Sequence, residues 1–213
     1  DRDECEEDEI EIVQLFDLNF EQALIDLGYD SKLDNKVYKD SISTITKLDL
    51  NNKNISNLSG ISAFSKLDTL MCSNNNLTEL FVYENYSLKS LSASNNAIEN
   101  ISVNSNIESI SISNNKIKVI DASELKKLEY FDASNNELQA LIFNNENNTN
   151  ITFFDITNNP NLQCVQVDDV NYAVANWTNI DNNTLYSENC SANLPVAKNL
   201  RIEGELTQYE TLT

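Results

Sequence analysis

From residue 45 to residue 162 the chain repeats one arrangement of apolar and polar positions, Leu-x-x-Leu-x-Leu-x-x-Asn-x-Leu. Residues 67–77 read LDTLMCSNNNL, 88–98 LKSLSASNNAI, 107–117 IESISISNNKI and 128–138 LEYFDASNNEL. Residues 45–55, ITKLDLNNKNI, carry Lys53 at the Asn position, and residues 151–162, ITFFDITNNPNL, hold one extra residue after Asn159. In the middle of each unit the recurring apolar positions of Leu-x-Leu fall two residues apart, the period of a strand with one buried face. Six short strands are therefore predicted, centred near residues 48–50, 70–72, 91–93, 110–112, 131–133 and 154–156. The Asn positions 75, 96, 115, 136 and 159 are 21, 19, 21 and 23 residues apart, so strand, turn and return path recur with a nearly constant period.

One such unit is too short to bury its own apolar side, so neighbouring units must stack. Leu67, Leu70, Cys72, Leu77 and Leu80 of one coil, and Leu88, Leu91, Ala93, Ile98 and Ile101 of the next, are predicted to share a core. Strands stacked at ~4.8 Å form a parallel sheet. The repeated Asn75, Asn96, Asn115, Asn136 and Asn159 leave the strand at a sharp turn. An amide both donates and accepts, so each is expected to satisfy turn backbone groups in its own coil and the next. Leaving such groups buried and unpaired would cost about 1–3 kcal/mol each, which makes this column structural.

The six-fold recurrence over residues 45–165 resembles the leucine-rich-repeat family. The resemblance implies an α/β solenoid, a right-handed leucine-rich-repeat superhelix of short repeats with a parallel concave β-sheet, an N-terminal helical cap and a C-terminal disulfide cap. Residues 19–30, NFEQALIDLGYD, read as an amphipathic helix with Phe20, Ala23, Leu24 and Leu27 on one face and Gly28 as the stop signal. Residues 158–190, opening NNPNLQCVQVDDVNYAVANW and ending at Cys190, read as the other cap, with Val170, Tyr172, Ala173 and Trp177 closing the core. Trp177 is assigned to that core rather than to the stacking of a sugar. Both flanks are similar to those of exported leucine-rich-repeat proteins of Bacteroidetes bacteria. The implied organisation is an acidic linker at 1–15, an N-terminal cap at 16–44, repeats at 45–163 and a C-terminal cap at 164–194. Residues 195–213 would be a linker and the first strand of a following immunoglobulin-like β domain, since Leu200, Ile202 and Leu206 alternate. The other reading of that segment is a loosely docked tail.

Cys164 and Cys190 bracket the C-terminal cap, and a disulfide between them is expected, in keeping with an oxidising, exported setting. Cys72 takes a core leucine position and is expected to be a buried thiol. Cys5 lies in the acidic tail and is expected to be exposed. The run Asp1–Glu11 is similar to the acidic stretch that follows the lipid-bearing cysteine of surface lipoproteins in that group. The DRDE before Cys5 is unlike an apolar lipobox, so a lipid anchor is expected upstream of Asp1.

Composition then narrows the function. A formal net charge of −20 opposes binding to nucleic acid and to anionic lipid, which depends on Lys and Arg. There is no histidine, which removes the usual general base and the commonest zinc ligand, and the four cysteines show no CxxC spacing. No stretch approaches the ~20 apolar residues of a membrane-spanning helix. No signal peptide is visible, and the abrupt charged start is consistent with one having been removed. Neither a cofactor nor a metal is expected.

The strand positions between the leucines face the concave side in this fold. One column reads Lys47, Thr69, Ser90, Ser109, Tyr130, Phe153, and the next Asp49, Met71, Ser92, Ser111, Asp132, Asp155. A third reads Asn51, Ser73, Ser94, Ser113, Ser134, Thr157. Small hydroxyls therefore line the middle, and the character changes at Tyr130, Asp132, Phe153 and Asp155. Aromatics beside acids make an anchor for a cationic protein segment or a sugar face, and these four are the candidate binding residues. The alternative is that Tyr130 and Phe153 only stack to cover the sheet. Asp132 and Asp155 could imitate a glycosidase carboxylate pair, but adjacent strands on an open face offer no cleft to raise one pKa. The expected role is a non-catalytic extracellular binding or adhesion module for a protein partner. The alternatives are a carbohydrate-binding surface protein of a polysaccharide-uptake system, and a rigid spacer.

Overall fold

A computed structural model describes residues 11–190 and 200–201. It is a β-solenoid. The described residues open with an antiparallel pair, β1 (Ile12–Gln14) and β2 (Lys36–Tyr38). Between them lies helix α1 (Leu18–Asp26), and a short helix α2 (Lys39–Ile42) follows. The predicted strands then appear as β3 (Lys47–Asp49), β4 (Thr69–Met71), β6 (Ser90–Ser92), β8 (Ser109–Ser111), β10 (Tyr130–Asp132) and β12 (Phe153–Asp155). They form one parallel sheet in chain order, with Leu48, Leu70, Leu91, Ile110, Phe131 and Phe154 in register and buried.

The return path is itself strand. It comprises β5 (Glu79–Phe81), β7 (Asn100–Ser102), β9 (Val119–Asp121), β11 (Ala140–Phe143), β13 (Cys164–Val167) and β14 (Leu185–Ser187). From the coil of β4 onward each is thus a flattened loop with a strand on either side and apolar side chains between, while the coil of β3 returns through a 3-10 turn at Ile61–Ala63. Leu67, Leu70, Cys72, Leu77 and Leu80 are buried together, as are Leu88, Leu91, Ala93, Ile98 and Ile101. The α-helices lie at the two ends.

Two columns of Asn make the sharp corner. In the Asn-Asn pairs the first residue takes a left-handed backbone: φ is 58° at Asn74 and Asn95, 56° at Asn114, 55° at Asn135 and 60° at Asn158. Asn tolerates this region better than other side-chain-bearing residues. The second Asn is the ladder. Asn115 Nδ2 donates to Ile112 O in its own coil and Ala93 O in the preceding one, both at 3.0 Å, while Oδ1 accepts from Ile98 N at 2.9 Å. Asn136 and Asn159 repeat the pattern with the coils before them, and so do Asn75 and Asn96. The ladder therefore reaches back, where the sequence reading had it reach forward. That direction explains Lys53: the first coil has no coil behind it, and Lys53 instead pairs with Asp26 of α1 at 3.2 Å.

The N-terminal cap is held by Asp17. One oxygen caps α1 by accepting from Asn19 N and Phe20 N, and the other accepts from Ser56 N, Ser56 Oγ and Asn57 N of the first coil. Phe20, Ala23 and Leu24 are buried as expected, but Leu27 is the helix C-cap and is exposed. In its place Glu21 is fully buried, with Oε1 accepting from Asp34 N and Lys36 N. Gly28, at φ 80°, ends the helix. At the other end helix α3 (Val170–Asn176) buries Ala173 and delivers Trp177 onto Phe154, ring centroids 4.4 Å apart. Cys164 and Cys190 form a disulfide, and Cys72 is a buried free thiol, as expected. Cys5 and most of Asp1–Glu11 lie outside the described residues, as do Ile202 and Leu206.

Candidate functional site

Strand register places the four candidate residues in one square. Tyr130 pairs with Phe153 and Asp132 with Asp155. Alternation turns the intervening Phe131 and Phe154 inward and leaves the four side chains on the sheet's outer face, half-buried. The Tyr130 and Phe153 rings are stacked, with centroids 4.5 Å apart and planes 8° from parallel. That spacing is close to the strand separation itself, so the sheet geometry sets the stack.

The acids have a local task as well. Asp132 Oδ1 accepts from Ser134 N at 3.0 Å and Ser134 Oγ at 2.8 Å; Asp155 Oδ1 accepts from Thr157 N at 2.9 Å and Thr157 Oγ1 at 2.7 Å. The second oxygen of each carboxylate has no partner among the described residues. Burial raises the Tyr130 phenol above its ordinary pKa, and the neighbouring Asp132 and Asp155 charges add to this. The phenol is therefore neutral at physiological pH and keeps its O–H to donate. The result is a two-ring apolar step flanked by two carboxylate oxygens.

The middle of the face differs. Ser73 and Ser92 hydroxyls are 2.9 Å apart, Ser94 and Ser111 3.0 Å, and Ser113 Oγ donates to Ser94 Oγ at 3.1 Å. These hydroxyls satisfy one another along the stack, which reduces what they offer to a partner.

Beyond Phe153 the sheet does not end in an open edge. Asn179 forms a parallel bridge to Asp155, and its carbonyl accepts from Ile156 N at 3.0 Å. Asp181 takes the Asn158 and Asn159 amides at 2.8 and 2.6 Å, where a further coil would supply carbonyls. Sequence reasoning missed both residues because the periodic leucines have stopped there. The one available signal is that Asp181 lies 22 residues after Asn159, about one repeat on.

Neither a known protein-family profile nor a curated protein sequence matches the chain. Solved structures do. The functional domain of InlJ from Listeria monocytogenes, described as including a cysteine ladder, matches with a TM-score of 0.61 at 21% identity, over 74% of this chain and 38% of that one. The chain has the leucine-rich-repeat fold. This leucine-rich-repeat chain spans little more than a third of the InlJ chain's length. It also aligns with internalin C2 (TM-score 0.46, 18% identity, 80% of this chain and 92% of that one) and an internalin named inlF (0.30, 14%, 74% and 72%), both from Listeria monocytogenes. Unlike a ladder, the cysteines here are one cap disulfide, one isolated core thiol in Cys72, and Cys5.

Proposed function

We propose that this solenoid is a non-catalytic extracellular module of adhesion type that binds a protein partner through its six-stranded face, with the contact centred on Tyr130, Asp132, Phe153 and Asp155. The observation that carries it is the stacked ring pair held beside two carboxylates whose outer oxygens are unengaged. An aromatic anchor that becomes buried contributes about 2 kcal/mol or more to binding, whereas rim hydroxyls contribute little. Carboxylates beside the rings favour a segment carrying Lys or Arg, whose cation can sit against the rings and whose charge complements the chain's −20. The Ser column supports the same centre, since its hydroxyls already bond to one another.

The Cys164–Cys190 disulfide, a bond that persists in oxidising surroundings, supports a setting outside the cell. Attachment through a lipid-bearing cysteine upstream of Asp1, in the manner of Bacteroidetes surface lipoproteins, and an immunoglobulin-like domain beyond the cap belong to the same reading. Among the described residues no helix is long and apolar enough to cross a membrane.

The test is titration calorimetry with a partner recovered on the immobilised solenoid, run beside a glycan array. Tyr130→Ala with Phe153→Ala should abolish most affinity, and Ser92→Ala with Ser111→Ala should barely change it. A costly serine pair would move the site to mid-solenoid. Binding on the glycan array without a protein partner would replace the protein ligand by a carbohydrate.

A further inference from the structure

The return side is not one sheet. β5 pairs with β7, and β9, β11, β13 and β14 pair in turn, but β7 and β9 do not pair with each other. On the opposite face the corresponding strands run unbroken through β6, β8 and β10. The break falls at the coil with the shortest return arc: Ile110 follows Ile101 by nine positions, whereas Leu91 follows Leu80 by eleven and Phe131 follows Ile120 by eleven. Two facing strand edges are thereby left with backbone donors and acceptors that need partners.

Leu200–Arg201 forms a strand, β15, that pairs in parallel with β7, Leu200 opposite Ile101 and Arg201 opposite Ser102, and it also lies against β9. Some outward positions at the break and next to it are covered too. Val119 and Ala140 point away from the core by strand alternation and stand outside its cluster, yet they are 5% and 1% exposed. Outward Glu79 and Phe81, on the far side of β7, are exposed.

We propose that the gap between β7 and β9 is a strand-acceptor slot, filled in cis by the segment at Leu200–Arg201. The segment extends the β5–β7 sheet by main-chain pairing, the mode by which an extended peptide adds to a sheet, and lies against β9. The reach is ample. Cys190 is tied to Cys164 at the start of β13, three strand spacings or ~15 Å from the slot, and the ten residues from Cys190 to Leu200 extend to ~33 Å. The consequence is that whatever follows residue 201 leaves from the side of the solenoid at mid-length, and the six-stranded face stays open.

The experiment is amide hydrogen exchange on the full chain and on a Leu200→Pro, Arg201→Pro variant, which removes both amide donors of β15 without touching the repeats. In the unmodified chain, the amides of Ile101, Val119 and Asp121, on the slot side of their strands, should exchange slowly, as should those of 140–143. In the variant, exchange at Ile101, Val119 and Asp121 should accelerate about tenfold or more, while β10 and the amides that bond to β5 and β11 stay unchanged. Unchanged exchange in the variant would overturn the proposal, and so would fast exchange at both strands in the unmodified chain. Sedimentation of the full chain should show a monomer with concentration-independent protection. A dimer whose protection grows with concentration would assign the strand to a second copy and refute the cis pairing.

Discussion

Asn114 and Asn115 are adjacent, chemically identical and predicted to respond differently to substitution. Replacing Asn115 with Gly removes an acceptor from Ile98 N and donors from Ala93 O and Ile112 O. Each orphaned group costs about 1–3 kcal/mol if it stays dry. Asn115 is 7% exposed, so water entering the vacated space recovers part of this. The expected loss is ~3 kcal/mol in all. Asn114 owes its place to its backbone, at φ 56°, and its amide bond to Ser134 O survives any non-proline substitution. Asn114→Gly should therefore change stability by less than about 1 kcal/mol, whereas Asn114→Val, forced into a left-handed backbone, should lose about 1–2 kcal/mol. Urea unfolding followed by far-ultraviolet circular dichroism measures all three. If Asn115→Gly cost no more than Asn114→Gly, the ladder would not be holding adjacent coils together and the account of the corner would be wrong.

Other consequences concern the two ends and the core. Replacing Cys164 and Cys190 with Ser should cost roughly 3.5 kcal/mol in the chain-entropy model and loosen α3 first, seen as selective proteolysis between residues 168 and 190. Burial pushes the Cys72 thiol up to about 12, so it should resist alkylation in the native protein at pH 8 and react only on unfolding, as peptide mapping would report. Burial alone would raise the Asp17 carboxyl, but its bonds from Ser56, Phe20 and Asn19 outweigh this and hold it below the ordinary 3.8. Because the folded value is depressed, the stabilisation is present above 3.8 and is lost as pH falls through the lower folded value. The deficit of Asp17→Asn, measured by urea unfolding at several pH values, should therefore be clear at pH 7 and shrink in acid.

The six face strands were legible because their signal is redundant: Leu48, Leu70, Leu91, Ile110, Phe131 and Phe154 each recur in the same place, and a half-buried strand alternates visibly. The return strands were not, since their outward positions range from Glu79 to Val119 and Ala140 and show no alternation. The Asn column could be read as structural from its spacing, but its direction depends on which coil's carbonyls lie within reach. Glu21 defeats a hydrophobic-face reading because its burial is stabilised by amides 13 and 15 residues away. At the site, register brought Tyr130, Asp132, Phe153 and Asp155 together as the repeat alignment required. The ring stack, the turn-capping role of the acids and the Asn179 bridge depend on side-chain and loop geometry that no periodicity encodes.

Hydroxyl-radical footprinting of the solenoid alone and with its bound partner tests the central claim most directly, because it reads both faces of one molecule at once. Tyr130 and Phe153 are half-buried on the six-stranded face, and Phe81 and Tyr86 are exposed, Phe81 on the return strand β5. Binding through the six-stranded face predicts that oxidation of Tyr130 and Phe153 falls sharply in the complex while Phe81 and Tyr86 oxidise as before. Protection of Phe81 and Tyr86 with Tyr130 and Phe153 unchanged would contradict it and place the partner elsewhere on the solenoid.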